Sequence, residues 1–180
     1  KPKKARKDRM EKWKTYLFPF LSLLVFFLLD GLLAAFFNNT LQFSFGYAVP
    51  RLTLLGLIFF SFHLPGKALA ILAILFGLLY DSYYSGILGV YLASFCLIAY
   101  IIIQLKTYFQ PGWVAYLFLG ILMLLLNEFF AFSVFNVIGL VQSTYAYFWA
   151  NHVGASLILN IIFLLVLIPI LTEIMKRIEE

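Results

Sequence analysis

Apolar and polar positions fall in long blocks along this chain. Mainly apolar stretches occupy residues 16–37, 51–64, 67–83, 86–105, 113–135 and 153–174, and polar stretches separate them at 38–50, 65–66, around Ser85, at 106–112 and at 136–152. None shows the period-two alternation that a closed barrel needs, so each block is expected to be a helix. A bilayer core takes roughly 17 to 25 helical residues. The 22 residues of 16–37 satisfy that length, whereas the 14 of 51–64 fall short. The second element must therefore begin earlier, near Phe45, or cross where the membrane is thin. Pro65 and Gly66 end it, and Pro169 is expected to bend or end the sixth helix. The pattern predicts an all-α integral membrane protein, a bundle of six transmembrane helices.

Composition agrees with that class. Of 180 residues, 64% are hydrophobic, 19% aromatic and only 12% charged, with mean hydropathy +0.99; a soluble domain of this size cannot cover so much apolar surface. One compact membrane domain, residues 16–175, is expected between a basic tail, 1–15, and a short C-terminal end, 176–180. The first stretch is longer than a signal-peptide core and lacks a small-residue cleavage pattern, so it reads as a span. The single Cys96 excludes an internal disulfide. Tyr145, Tyr147, Phe148 and Trp149 read first as interfacial anchors.

Charge sets the direction of the chain. Residues 1–14 carry eight of the thirteen Lys and Arg residues. That tail is expected to stay in the cytoplasm and lie on anionic headgroups, each basic residue gaining about 1 kcal/mol there, rather than to bind nucleic acid. With six spans and an internal N-terminus, Lys67, Lys106, Lys176 and Arg177 also fall inside, and Arg51 alone lies outside. If the second stretch failed to cross, all five of these residues would face outward. The positive-inside rule selects six spans, N-in and C-in.

Four charges remain at membrane depth on that topology: Asp30, Arg51, Asp81 and Glu128, all toward the outer side. Charged groups at such depth cost a few kcal/mol unless they face protein or water and find partners. An outer-leaflet polar network around Arg51 follows, with Asn127 beside Glu128 as a further member. Asp81, near the same membrane edge, is the expected partner of Arg51. The network can serve a ligand or a partner, or can simply staple helices together. Asn127 and Asn160 are expected to make interhelical hydrogen bonds. His63 and His152 fall at opposite membrane edges and Cys96 in mid-span, so no metal site is expected. A nucleophile-base constellation and a Gly-rich phosphate loop are also missing, so neither catalysis nor a cofactor is expected.

Residues 75–95 form the pattern's centre, two apolar arms meeting at a turn. Ala70, Ala73, Gly77 and Asp81 share a helical face on the first arm, and Gly86, Gly89, Ala93 and Cys96 repeat the spacing on the second. Small residues let backbones approach, and close packing is what holds helices together in lipid. Gly77 is expected to pack on Gly89 within the hairpin; the alternative is that part of the stripe, nearer Cys96, is left for a partner. The run Gly77-Leu78-Leu79-Tyr80-Asp81, followed by Gly86 and Leu88-Gly89, resembles the signature of the rod shape-determining protein MreD family. Ser85 stands where that signature usually has glycine, with Gly86 one position later.

The resemblance implies a non-enzymatic membrane scaffold of the bacterial cell-elongation machinery, multi-pass in the cytoplasmic (inner) membrane. Its implied partner is MreC, a single-span protein, and through it the peptidoglycan synthases that control cell shape. It also implies a fold similar to the substrate-binding subunits of energy-coupling-factor transporters. The alternative is accordingly a solute-binding membrane subunit of such a vitamin transporter, with the outer polar residues lining its pocket.

Overall fold

The structure, a computed structural model, describes the backbone of residues 2–37, 42–43 and 46–179 and the side chains of residues 16–35 and 48–178. The side chains of the basic tail lie outside the described residues. Helix α1 (Pro2–Phe37) leads into a two-stranded antiparallel pair, β1 (Gln42–Phe43) and β2 (Gly46–Tyr47), with Gln42 opposite Tyr47. Then follow α2 (Leu52–Phe60) and α3 (Gly66–Tyr80), the latter continued by a π-helical turn, Asp81–Ser85. Next come α4 (Val90–Leu105) and α5 (Trp113–Val137). Short α6 (Tyr145–Phe148) runs through a second π-helical turn, Trp149–Val153, into α7 (Gly154–Glu179). Pro169 does not end the last helix, which continues past it as α1 does past Pro19.

Side-chain contacts give each helix its direction. Phe18 packs on Phe60 while Asp30 meets Leu52, so α1 and α2 are antiparallel. Gly66 lies against Ile103 and Tyr80 against Tyr91, which sets α4 against α3. Tyr116 stacks on Phe59 while Glu128 reaches Arg51, and Gly120 meets Leu164 while Glu128 meets His152, so α5 opposes both α2 and α7. One end of the bundle therefore holds Lys106 and the C-terminal end of α7; the other holds Asp30, Arg51, Asp81, Glu128 and His152.

Helix α2 is the axle of this arrangement. It touches α1, α3, α4, α5 and α7, and every one of its nine residues is buried. At 1.5 Å per residue it is about 13 Å long, less than half a bilayer core of about 30 Å. The helix starts at Leu52, so the shortness that the sequence shows in this block is not resolved by an earlier start near Phe45. The helix is enclosed by protein, with the leg Ala48–Arg51 before it and a turn after it. Such a buried helix must have its end groups satisfied internally. Asp30 accepts from the Leu52 and Thr53 amides at 2.7 and 3.0 Å. At the other end the Lys106 ammonium donates to the Ser61 and Leu64 carbonyls at 2.9 and 3.0 Å. Negative charge at the N-terminus and positive charge at the C-terminus also complement the helix dipole.

Six transmembrane helices are expected from the sequence, but among the described residues four helices are long and apolar enough to cross a membrane by length and composition: Tyr16–Ala35, Gly66–Ser85, Trp113–Val137 and Tyr145–Ile178. Helix α4 has 16 residues and α2 nine.

The small-residue stripe also needs correction on its second arm. Gly86 and Gly89 are not on a helix; both lie in the turn before α4 with φ +69° and +111°, the left-handed region that favours glycine, and a Cβ at either would meet nothing. Gly77 packs not on Gly89 but on the start of α4, where its Cβ would stand 2.7 Å from Leu92 Cα and 3.1 Å from the Tyr91 carbonyl oxygen. Ala93 is exposed and Cys96 half-buried on the outward side of α4. The glycine displaced by one position is explained by the π-helical turn. Such a turn holds one more residue than an α-helical one, and the Gly86 amide closes it on the Asp81 carbonyl at 2.9 Å.

Candidate functional site: the polar end of the bundle

The charged residues that the sequence groups into one network are divided by the structure among separate tasks. Asp81, fully buried at the end of α3, reaches across the turn to the start of α4 and accepts from the Gly89, Tyr91 and Leu92 amides at 2.7, 2.7 and 3.1 Å. Asp30 does the same for α2, and it also accepts from the Thr53 hydroxyl at 2.8 Å and from the Tyr80 hydroxyl. The first few amides of a helix have no intrahelical acceptor, and a carboxylate accepting several makes charge-assisted bonds. Both aspartates are thus committed to helix N-termini. The signature hairpin acquires a physical sense: Gly77 allows the arms to touch, Gly86 and Gly89 turn the chain, and Asp81 ties the second arm to the first.

Arg51 therefore pairs with Glu128 and not, as expected, with Asp81. The extended leg Ala48–Arg51 is pinned by Asn160, which donates to the Val49 carbonyl at 2.7 Å and accepts from the Arg51 amide at 2.8 Å, and by Ser156, which accepts from the Val49 amide at 3.1 Å. That leg points the Arg51 guanidinium between α4 and α5. Nε donates to Glu128 Oε1 at 2.8 Å, Nη2 donates to the Tyr91 hydroxyl at 3.0 Å, and the guanidinium carbon stands 5.0 Å from the Tyr91 ring centroid. Glu128 Oε2 accepts from His152 Nε2 at 3.0 Å. The pair is enclosed, with side chains 8% and 5% exposed. Asn127, although next to Glu128, faces elsewhere and accepts from the Ser94 hydroxyl at 2.9 Å, while its Nδ2 has no partner among the described residues.

Sequence reasoning placed His152 at a membrane edge but missed it, Tyr91 and Tyr80 as partners of these charges. Tyr80 had a signal, since it stands inside the signature run beside Asp81. His152 had none: it is 24 residues from Glu128, and the second π-helical turn brings it there. His63, at the opposite end, stacks on Phe59.

Two clefts flank Arg51, with Val49 and Tyr91 in the wall common to both. One, about 330 Å³, has Glu128 and His152 at its polar side and Phe132, Phe148 and Val141 among its apolar lining. The other, about 310 Å³, lies toward Asp30, Tyr80 and Tyr84. Among the described residues no group of three or more His, Cys, Asp and Glu is arranged to hold a metal ion.

The family model for the rod shape-determining protein MreD matches residues 14–178. The chain belongs to the MreD family. Among curated proteins, the rod shape-determining protein MreD of Bacillus subtilis (strain 168) is 28% identical over 159 residues, which cover 86% of this chain and 90% of that one. No solved structure matches. The MreD match takes in every element from the end of the basic tail to the last turn of α7, so the helix-tying aspartates and the Arg51–Glu128–His152 cluster all lie within it.

Proposed function

We propose that this chain is a non-enzymatic scaffold of the bacterial cell-elongation machinery, acting in rod shape determination from the cytoplasmic membrane. The observation that carries this reading is the family match over residues 14–178. Its topology is six passes with both termini cytoplasmic, supported by the alternating helix directions and by the gathering of Lys67, Lys106, Lys176 and Arg177 toward one end. The basic tail binds anionic lipid on that side, and the fold is akin to the substrate-binding subunits of energy-coupling-factor transporters.

The partner in this proposal is an MreC-like single-span protein, through which the chain influences peptidoglycan synthases. Gly77, Asp81, Gly86 and Gly89 are occupied in building the hairpin, so the partner's helix is assigned to the outward side of α4, where Ala93 and Cys96 leave room for close approach. Affinity purification from native membranes in mild detergent tests the reading. Wall-assembly proteins should co-purify with the wild type and be lost from Ala93→Phe and Cys96→Phe variants that still yield folded monomer. Recovery of an ATPase module or a tightly bound vitamin instead would replace the scaffold by the transporter subunit, and full partner retention in both variants would remove the partner from α4.

A further inference from the structure

The larger cleft beside Arg51 holds hydrogen-bonding capacity that the fold does not use. A guanidinium carries five N–H donors; among the described residues Glu128 and the Tyr91 hydroxyl take two. Arg51 is only 6% exposed overall, and it lines the cleft. Among the described residues none of its nitrogens is both fully buried and unpartnered, so the spare N–H groups open onto the space beside the side chain. His152 adds the complementary capacity. Its Nε2 must carry a proton to donate to Glu128, so in the neutral ring Nδ1 is left as an acceptor. Arg51 and His152 thus both line one cleft of about 330 Å³, within the size range of small-molecule sites.

Charge decides what can enter. Glu128 already balances Arg51, and Asp30 and Asp81 are bound to helix N-termini. With a neutral His152 ring, an incoming carboxylate or phosphate would lie beside Glu128 with no second cation to offset it, and an incoming cation would compete with Arg51. Either leaves an uncompensated charge in a largely enclosed place. An uncharged group that both accepts and donates meets neither penalty. The rest of the cleft asks for an apolar or aromatic body, since Phe132 and Phe148 stack face to face with centroids 4.0 Å apart in its wall. Among the described residues two turns are π-helical, a feature often found at functional sites; one begins at Asp81 and the other contains His152.

We propose that this cleft binds an uncharged, mainly apolar molecule through a carboxamide-like group, its carbonyl accepting from Arg51 and its N–H donating to His152. Such a group can come from a membrane amphiphile or from a water-soluble solute; the chemistry is the same. The inference stands apart from the scaffold role and holds or falls without it.

The test uses the purified full chain in detergent with three matched probes, 4-fluorobenzamide, 4-fluorobenzoate and 4-fluorobenzamidine, followed by fluorine NMR titration. The benzamide should bind saturably, and each charged analogue at least about tenfold more weakly, the equivalent of about 1.4 kcal/mol. Val141→Trp fills the cleft from its half-exposed rim and should abolish the saturable component without changing the melting temperature, which separates loss of the site from loss of the fold. Solvent extraction of protein from native membranes, with mass spectrometry, then identifies the source. An amide-bearing amphiphile present with wild type and absent with Val141→Trp indicates the membrane; fragment binding without it indicates a solute. Absence of saturable benzamide binding, equal or tighter binding of a charged analogue, or binding unaffected by Val141→Trp would overturn the proposal.

Discussion

The Arg51–Glu128 pair is the point at which the energetics of this bundle can be tested most directly. Both side chains are more than nine-tenths enclosed and meet at 2.8 Å, so the regime is that of a buried pair. Removing one partner leaves an uncompensated charge and costs about 3 to 5 kcal/mol, whereas replacing both by apolar residues of similar volume is often close to neutral. Arg51→Leu and Glu128→Leu should therefore each destabilise the protein by that amount. The double variant should be more stable than either single one, giving a favourable coupling of roughly 3 kcal/mol or more in the double-mutant cycle. Part of the loss persists in the double variant, because the Tyr91 hydroxyl and His152 lose their partners. Equilibrium unfolding in mixed micelles with increasing denaturing detergent gives the four free energies. The exposed Arg177–Glu173 pair, with side chains 75% and 59% exposed, is the internal control and should show coupling under about 0.5 kcal/mol. Additive losses at Arg51 and Glu128 would refute the reasoning.

Three further outcomes follow from the geometry. Asp81→Leu deprives the Gly89, Tyr91 and Leu92 amides at the start of α4 of their acceptor and should cost more than Asp81→Asn, which keeps one acceptor oxygen; with N-cap losses of about 0.5 to 2 kcal/mol as the guide, equal unfolding midpoints for the two variants would show that capping is not the role of Asp81. Gly77→Ala should lower folded yield by prying α3 from α4, since its Cβ meets backbone at 2.7 Å, whereas Gly89→Ala has free space and should show only the milder strain of a left-handed residue, roughly 1 to 2 kcal/mol; a reversed order in a thermal-stability assay would contradict the packing described. In a cysteine-free background carrying Cys96→Ser, a cysteine at Gln142 should react with an impermeant maleimide added to intact cells and one at Tyr108 should not; the opposite labelling would invert the proposed topology.

How much of this was legible in the sequence depends on the range of the interaction concerned. Helical class, membrane character and the number of apolar blocks follow from composition and run length, because the cost of placing polar backbone in lipid is summed along each segment and needs no partner to be known. The signature hairpin was visible for a similar reason: its two arms are neighbours in the chain, and Gly77, Asp81, Gly86 and Gly89 stand within thirteen positions. Even there the spacing misled, since a period that fits a helical face at Gly86 and Gly89 belongs to a turn whose φ values only the backbone reveals.

Tertiary structure alone decided which charge meets which. Asp30, Asp81 and Glu128 are alike as carboxylates, and all were expected near Arg51. What separates them is that two stand at the ends of other helices, where unsatisfied amides compete for the carboxylate, while Glu128 faces the guanidinium from across the bundle, 77 positions away. The burial of α2 is of the same kind. Its short apolar run is compatible with a lipid-facing helix or with one enclosed by protein, and only the ring of five helices around it, with Asp30 at one end and Lys106 at the other, makes it the latter.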